Sequence, residues 1–464
     1  MTSSTKHNGF VVAGTHSSVG KSSISVGLMY LLKRKGYSIK PFKVGPDYID
    51  PGHHSKACGI PSYNLDTVMC SKTYVTRLFN DNMSKDDFAI IEGVMGLHDG
   101  SSPTNEKGST AAMAKHLGLP VILVIDGKAM ARSAAAMVLG YMKLDPKVDI
   151  RGVIANNVSS PRHSQIIKDS IEHHTSAKLL GCLPTSPQLT IPSRYLGLFQ
   201  SNEGKDTIYK KWADHIESHL DLNLLKKLFK LKKPSKRTRV ENQELKRWKT
   251  KAKPRSLKMA VAKDEAFQFI YQDTLDFLQH HGFNISFFSP IHDSHLPEDM
   301  DGYYFPGGYP ELHAKSLSKN KSMLKDIKKA GINGHTIIGE CGGLMYLGNH
   351  ITDKDNKKLP MVGVFKYSTS IKKRKLTLGY RKLQPAKLSK QNKNLTLHGH
   401  EFHYSTITVN NEQPHWKNNF SPNGIKQKDG FTFKNCHSFY THIYWASNRG
   451  WLNFLTKSLK GKNQ

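Results

Sequence analysis

The stretch Gly14, Thr15, His16, Ser17, Ser18, Val19, Gly20, Lys21, Ser22, entered from the apolar run at 10–13, decides how the chain reads. The apolar run predicts a buried strand, the small residues a tight loop, and Ile24, Leu28, Leu31 and Leu32 fall on one face of the helix that follows. Strand, loop and helix in that order are the setting of a phosphate-binding P-loop. Backbone N–H groups at a helix N-terminus meet phosphate oxygens, Lys21 adds a mobile charge, and the Ser22 hydroxyl is placed to ligand magnesium. Gly14 stands one residue early, so Thr15 holds the position usually taken by the first glycine. The competing reading is a merely structural glycine-rich turn.

Outward from the loop, residues 38–44 predict a second strand that runs into Gly45, Pro46, Asp47, Tyr48, Ile49, Asp50, Pro51, Gly52, His53, His54. Two prolines and two glycines are expected to keep this segment out of a helix and to present Asp47, Tyr48 and Asp50 at the C-terminal end of a strand, where open sheets bind ligands. An acidic surface turn is the alternative. Residues 87–91 predict a strand that delivers Glu92 to its tip, placed to hold magnesium, with Asp99 behind it; a capping carboxylate would look the same. Strands at 120–126 and 151–157 flank an alanine-rich helix at 130–139, and alternation of this kind predicts a mostly parallel sheet. Asn156 either reads a purine edge or braces a turn, since a side-chain amide both donates and accepts.

The second half repeats the alternation, with strands at 259–262 and 284–288 and a helix at 267–281. Residues 303–305 predict a strand entering the Gly307, Gly308 turn, and 336–338 one entering Gly339, Glu340, Cys341, Gly342, Gly343 ahead of a helix at 344–347. Gly-x-Cys-x-Gly is the thiol form of a nucleophile elbow, in which small neighbours permit the strained turn that exposes the nucleophile. The helix start is expected to lower the Cys341 pKa, and the N–H of Gly342 with one from Gly307 or Gly308 is expected to form an oxyanion hole. A cysteine nucleophile needs a base. Histidines at 398–405 and 439–445 supply candidates, and with 24 of them in the chain the count itself selects none.

A chain of 464 residues exceeds what one hydrophobic core usually serves, so two domains are expected. No apolar run approaches the roughly 20 residues of a membrane span and no signal-peptide core is present, which predicts a cytoplasmic protein. Cys58, Cys70, Cys182, Cys341 and Cys436 are odd in number and widely spaced, against a disulfide framework or a zinc knuckle. The formal charge of +31 raises nucleic acid as a partner. Much of the excess lies at 226–258, where fifteen Lys or Arg face Glu241 and Glu244; with Pro234 and Pro254 this reads as a solvated linker or an anion-steering patch. Trp248 stands nearly alone there, so no aromatic ladder for base stacking supports nucleic acid.

Residues 41–50, 92–100, 340–348 and 400–405, with Met130, Ala131, Arg132, Ser133, Ala134, Ala135, Ala136 and Gly307, Gly308, Tyr309, Pro310, Glu311, Leu312, resemble the cobyrinate a,c-diamide synthase family, glutamine-dependent amidating enzymes of cobalamin biosynthesis. The motifs recur in order over nearly the whole chain, excepting the basic linker and the tail after Gly450. The resemblance implies an α/β protein of two domains: a dethiobiotin-synthetase-like P-loop domain with a parallel sheet at 1–222, and a class I glutamine amidotransferase α/β domain at 257–452. A basic linker at 223–256 and a basic tail at 453–464 complete the expected division. It makes Cys341 the glutaminase nucleophile and His442 its base, since His442 follows the family's aromatic, apolar, His pattern; where the family has a second His two residues on, this chain has Tyr444.

What it implies for the activity is a carbon–nitrogen ligase that uses ATP, L-glutamine and a tetrapyrrole polycarboxylate, with magnesium as cofactor. Ser22, Glu92 and Asp47 are the metal ligands expected, and Asp47, Tyr48, Ile49 and Asp99 the substrate contacts. Residues 14–22 and Asn156 would hold the nucleotide. A homodimer stays open. So do a sister amidase acting on hydrogenobyrinate or a nickel sirohydrochlorin, and, further off, a P-loop partitioning or scaffold ATPase. The last would carry a second glycine pair and a signature lysine where His16, Ser17 and Ser18 stand, and would have no use for a cysteine elbow.

Overall fold

The computed structural model describes residues 7–158, 160–186, 193–194, 197–198, 207–234, 257–372, 376–385, 395–409, 416–418, 427–447 and 449–460. The chain divides into two compact units, Met1–Lys249 and Thr250–Gln464. Most of the proposed linker, 235–256, lies outside the described residues.

In the first unit, strands β1 (Asn8–Gly14), β2 (Ile39–Val44), β3 (Tyr63–Leu65), β4 (Phe88–Glu92), β5 (Val121–Asp126), β6 (Ile150–Asn156) and β7 (Lys178–Leu183) form one sheet in the order 3-2-4-1-5-6-7, every pairing parallel. A parallel sheet needs both faces covered. Alternate residues of β1 serve the two layers: Val11 and Ala13 enter one buried cluster, Phe10 and Val12 the other.

Two expectations are corrected here. The segment Asp50–Cys58 is a helix, although Pro51 and Gly52 seemed to forbid one. Pro51 falls at the first turn, where a proline removes only an N–H that has no intrahelical acceptor. The first unit also does not stop at residue 222. Leu222–Phe229 is a helix capped by the Asp221 carboxylate, which accepts from Asn223 N and Leu224 N; it buries Leu225 and Phe229 in the core, with Phe229 edge-on to Phe10 at 5.0 Å between ring centroids.

The second unit is built on a six-stranded sheet in the order Phe283–Phe288, Leu257–Ala262, Gly302–Phe305, Thr336–Glu340, Cys436–Phe439, Phe431–Phe433, parallel except at the last pair. A five-stranded antiparallel sheet beside it contains Thr377–Pro385, Leu397–His403 and His442–Ile443. Residues 453–460 of the expected basic tail belong to a helix, Arg449–Lys460, whose Trp451, Leu455 and Leu459 are buried, and 461–464 lie outside the described residues.

Candidate active site

In the first unit the P-loop forms between β1 and the helix Lys21–Arg34. Gly20 has φ 104, the left-handed region that glycine alone enters without strain, and a Cβ there would lie 2.5 Å from Asn156 Nδ2. The Asn156 amide donates to Val19 O at 3.0 Å, so β6 reaches over and braces the loop. Thr15, in place of the first glycine, takes a hydrogen bond on its carbonyl from the Tyr141 hydroxyl. Lys21 Nζ bends back to His16 O at 3.1 Å. Burial, then the Lys43 charge, lowers its pKa to about 8.

Parallel register places Glu92 beside both Val12 and Lys43 at the strand ends. The Glu92 carboxylate is the hub. Its Oε1 accepts from Ser22 Oγ at 2.7 Å and from Lys43 Nζ at 2.8 Å, and its Oε2 meets His54 Nε2 at 2.6 Å. Lys43 Nζ also reaches Asp50 Oδ2 at 2.5 Å and Gly93 O at 3.0 Å. Burial opposes charge on all three; Lys43 and then His54 nevertheless hold Glu92 well below the usual carboxylate range, while Asp50 and Glu92 hold Lys43 above its own. The Ser22 and Glu92 oxygens converge as hard donors of the type a small dication takes, which fits magnesium chemistry.

The loop at 45–50 is occupied differently from expectation. Asp47 Oδ1 accepts from Ile49 N at 2.7 Å and Asp50 N at 3.2 Å, so this carboxylate fixes the entry to the helix Asp50–Cys58. Tyr48 and Ile49 are buried, Asp50 is committed to Lys43, and the Asp47 carboxylate keeps partial exposure. Asp99 Oδ2 accepts from Gly96 N at 2.8 Å and shapes the loop whose Leu97 N bonds Gly14 O. The residues missed were Lys43 and His54. A lysine in a strand otherwise buried was the available signal.

In the second unit Cys341 has φ 48 and ψ −97, the strain of the elbow, between the strand Thr336–Glu340 and the helix Gly342–Leu347. The strand Cys436–Phe439 runs parallel beside it, pairing Glu340 with Phe439, and Cys341 N donates to Phe439 O at 2.7 Å. Three residues past that partner stands His442, on the strand His442–Ile443 opposite His400. Gly307 lies against His442: a Cβ there would come 2.0 Å from its Cε1. A Cβ on Gly342 would be 3.0 Å from Gly308 N, so the groups expected to form an oxyanion hole are brought together.

The electrostatics differ from expectation in one respect. Burial, then the Glu311 carboxylate, pushes the Cys341 thiol well above its usual range, and the Gly342 N–H only partly offsets this. A six-residue helix start does not outweigh desolvation. Burial, then His400 and His403, keeps His442 well below its usual value. Burial thus favours a thiol on Cys341, whose Sγ faces Phe402 O at 4.0 Å, and a neutral imidazole on His442, the form that accepts a proton. Beneath the elbow, burial raises Glu340 to about 8, while Trp445 Nε1 and the Tyr304 hydroxyl donate to it at 2.8 and 2.9 Å. Tyr444, where the family has its second His, gives its hydroxyl to Asp273 Oδ2 at 2.6 Å.

Residues 258–450 match the CobB/CobQ-like glutamine amidotransferase domain, and residues 8–193 an AAA domain. A cobyrinate a,c-diamide synthase of Caldanaerobacter subterraneus subsp. tengcongensis is 40% identical over 440 residues, 94% of each chain. That of Methanosphaera stadtmanae is 39% identical, covering 94% of this chain and 95% of its own. That of Salmonella typhimurium is 40% identical over 86% of each. Among the described residues no helix is long and apolar enough to cross a membrane.

Proposed function

This chain belongs to the cobyrinate a,c-diamide synthase family, and from that premise we propose that it amidates the a and c carboxylates of cobyrinate, spending ATP in one unit and releasing ammonia from glutamine in the other. It is a glutamine-dependent ligase of cobalamin biosynthesis. The observation that carries the glutaminase half is the strained turn at Cys341 with His442 three residues beyond its strand partner. The residues described serve ATP and glutamine, so the choice of cobyrinate over a sister ring rests on the relatives.

In the glutaminase half the Cys341 thiol gives its proton to His442 as sulfur attacks the glutamine side-chain amide. The Gly342 and Gly308 N–H groups receive the oxyanion, His442 returns the proton to the amide nitrogen so that neutral ammonia leaves with the thioester formed, and water then cleaves the thioester to glutamate. In the other half residues 14–22 cradle the triphosphate, and Lys21 neutralises charge where the terminal phosphoryl group passes to a carboxylate of the ring. Ammonia then displaces phosphate from the acyl phosphate. Ser22 and Glu92 would hold a magnesium ion, which supplies charge screening on the phosphates. Asp47 and Asp99 lie on the loops at the same strand ends and would face the ring; two rounds consume two ATP and two glutamines. A cytoplasmic setting completes the reading.

The test is purified protein with glutamine, magnesium ATP and cobyrinate, followed by mass. Two successive acid-to-amide changes are expected. Cys341→Ser should abolish glutamine use and leave ammonium as a working donor; full glutamine turnover by that variant would remove Cys341 as nucleophile.

A further inference from the structure

The amidotransferase family supplies a nucleophile and a base, and the structure places a third element behind them. Asp429 ends the strand Gln427–Asp429 of the five-stranded sheet; the next residue, Gly430, has φ 80, and the chain then enters Phe431–Phe433 of the six-stranded sheet. The chain returns in the opposite sense ten residues later, leaving Cys436–Phe439 of the six-stranded sheet, passing Tyr440 and Thr441, and delivering His442 to the five-stranded one.

One carboxylate holds both crossings. Asp429 Oδ1 accepts from Gly430 N at 2.7 Å and Tyr440 N at 3.1 Å; Oδ2 accepts from Thr441 N at 3.1 Å and from Thr441 Oγ1 at 2.9 Å. Thr441 is wholly buried and Asp429 nearly so. Thr441 Oγ1 lies also 3.4 Å from Glu401 Oε1, whose other oxygen takes a fork from Arg381 Nε and NH2 at 2.9 and 2.8 Å. Tyr440, held by the same acid, stacks its ring on His403 at 3.9 Å. Tyr440 and Thr441, the two residues that lead into His442, thus cannot rotate without breaking charge-assisted bonds in a dry interior.

A base must reach its nucleophile within hydrogen-bond distance, and small misplacements cost large factors in rate. We infer that Asp429 is a positioning residue for the glutaminase reaction: by clamping Tyr440 and Thr441 it sets the ring of His442 against Cys341. The inference rests on the glutaminase reading above. A hydroxyl has one proton, so Thr441 Oγ1 divides its donation between Asp429 and Glu401, and Arg381 satisfies the Glu401 oxygen that Thr441 does not face.

The test compares Asp429→Asn, Asp429→Glu and Thr441→Val with wild type, using the full chain and steady-state glutamine-dependent amidation. An asparagine amide would turn donors toward the Thr441 N–H and hydroxyl, whereas glutamate keeps an anionic acceptor. The expected result is a fall in glutamine-dependent kcat of about 10- to 100-fold for Asp429→Asn with KM for glutamine held within about threefold. Asp429→Glu should recover part of the loss and Thr441→Val should lose less than Asp429→Asn. The rate at which 6-diazo-5-oxo-L-norleucine alkylates Cys341, read by peptide mass, should fall in parallel with kcat. A kcat for Asp429→Asn within twofold of wild type would overturn the inference, and so would a loss of kcat matched by an equal rise in KM, which marks collapse of the glutamine site. Cys341→Ser separates the two readings: if it keeps glutamine turnover the nucleophile itself is misassigned, whereas loss in Cys341→Ser with none in Asp429→Asn overturns only the positioning role.

Discussion

Lys43 Nζ stands 2.8 Å from Glu92 Oε1, the two side chains being register partners at the C-terminal ends of adjacent parallel strands. Both are buried, and each holds the other charged where burial alone would discharge it. The same Glu92 oxygen accepts from Ser22, the first hydroxyl of the P-loop helix, so the phosphate cradle and the carboxylate end of the site share one atom.

Lys43→Met should therefore be costly out of proportion to its size. It leaves Glu92 and Asp50 without their shared cation in a dry site, and removal of one partner of a buried pair costs about 3–5 kcal/mol. Urea unfolding of the first unit should show a loss of that order, partly restored by adding Glu92→Gln. The sign with pH follows from the shifts. Glu92, depressed in the folded state, contributes stability above its unfolded value of 4.5 and loses it as pH falls; Lys43, raised, contributes below 10.5 and loses it as pH rises. Burial and then Asp47 hold Asp50 above its usual range, so the gap between wild type and variant should narrow as pH falls through the Asp50 and then the Glu92 carboxylate, and again as pH rises past about 10. An unfolding midpoint unchanged by the substitution would show the pair to be of no account.

Lys21 carries the opposite sign. Its pKa is lowered to about 8 by burial and by Lys43, so above that pH it begins to lose the charge that meets phosphate. Nucleotide favours the protonated form and raises the bound-state value, hence affinity falls as pH climbs. Titration of a non-hydrolysable ATP analogue should show Kd nearly constant from about pH 6.5 to 7.5 and rising toward tenfold per unit above about 8. Lys21→Arg should flatten the curve, since a guanidinium keeps its proton throughout. A flat wild-type profile up to pH 9.5, beyond about one unit past the expected value, would mean Lys21 is not desolvated as the structure has it.

Phe229 tests where the first unit ends. The dense Lys and Arg around it mask the apolar spacing and make residues from 223 onward look like linker. Yet Leu225 and Phe229 lie four apart on one helix face, and both are buried with Phe10 of the first strand. Phe229→Ala should cost the first unit about 3–5 kcal/mol. A change under about 0.5 kcal/mol, the range of surface positions, would return the segment to the linker.

What the sequence disclosed and what it hid divide along one line. The strand tips carrying Gly14, Glu92 and Cys341 were legible because each couples an apolar run to a local turn signal, and both features lie within ten residues. Pro51 misled because a proline breaks a helix in its interior and starts one at its first turn, and spacing alone does not say which applies. Lys43, His54 and Asp429 were passed over because their partners are distant in the chain: Glu92 lies 49 residues from Lys43 and 38 from His54. Asp429 is 12 residues from Thr441 with a sheet crossing between them. The helix start at Gly342 was credited with a pull on the thiol that burial exceeds, a balance set by surroundings no local pattern reports.

Gly307 offers the sharpest test of the glutaminase geometry. Its Cα faces the imidazole so closely that an added Cβ would lie 2.0 Å from His442 Cε1 and 2.8 Å from Nδ1. His442 is fully buried, with Phe269 tilted toward its ring at 6.1 Å between centroids, so the ring cannot swing out into solvent to make room. Gly307→Ala must therefore displace the His442 ring or distort the turn that carries Gly308. Overpacking of this kind costs about 1–3 kcal/mol, too little to unfold an ordinary domain, while a base displaced by about an ångström costs on the order of a hundredfold in rate. The expected outcome is glutamine-dependent amidation reduced about 100-fold with a modest fall in Tm. Amidation driven by ammonium should persist, because that route needs neither residue. Retention of wild-type glutamine turnover would mean that His442 does not act from the position it holds beside Gly307, and His400, its partner across the strands, would become the residue to test as base.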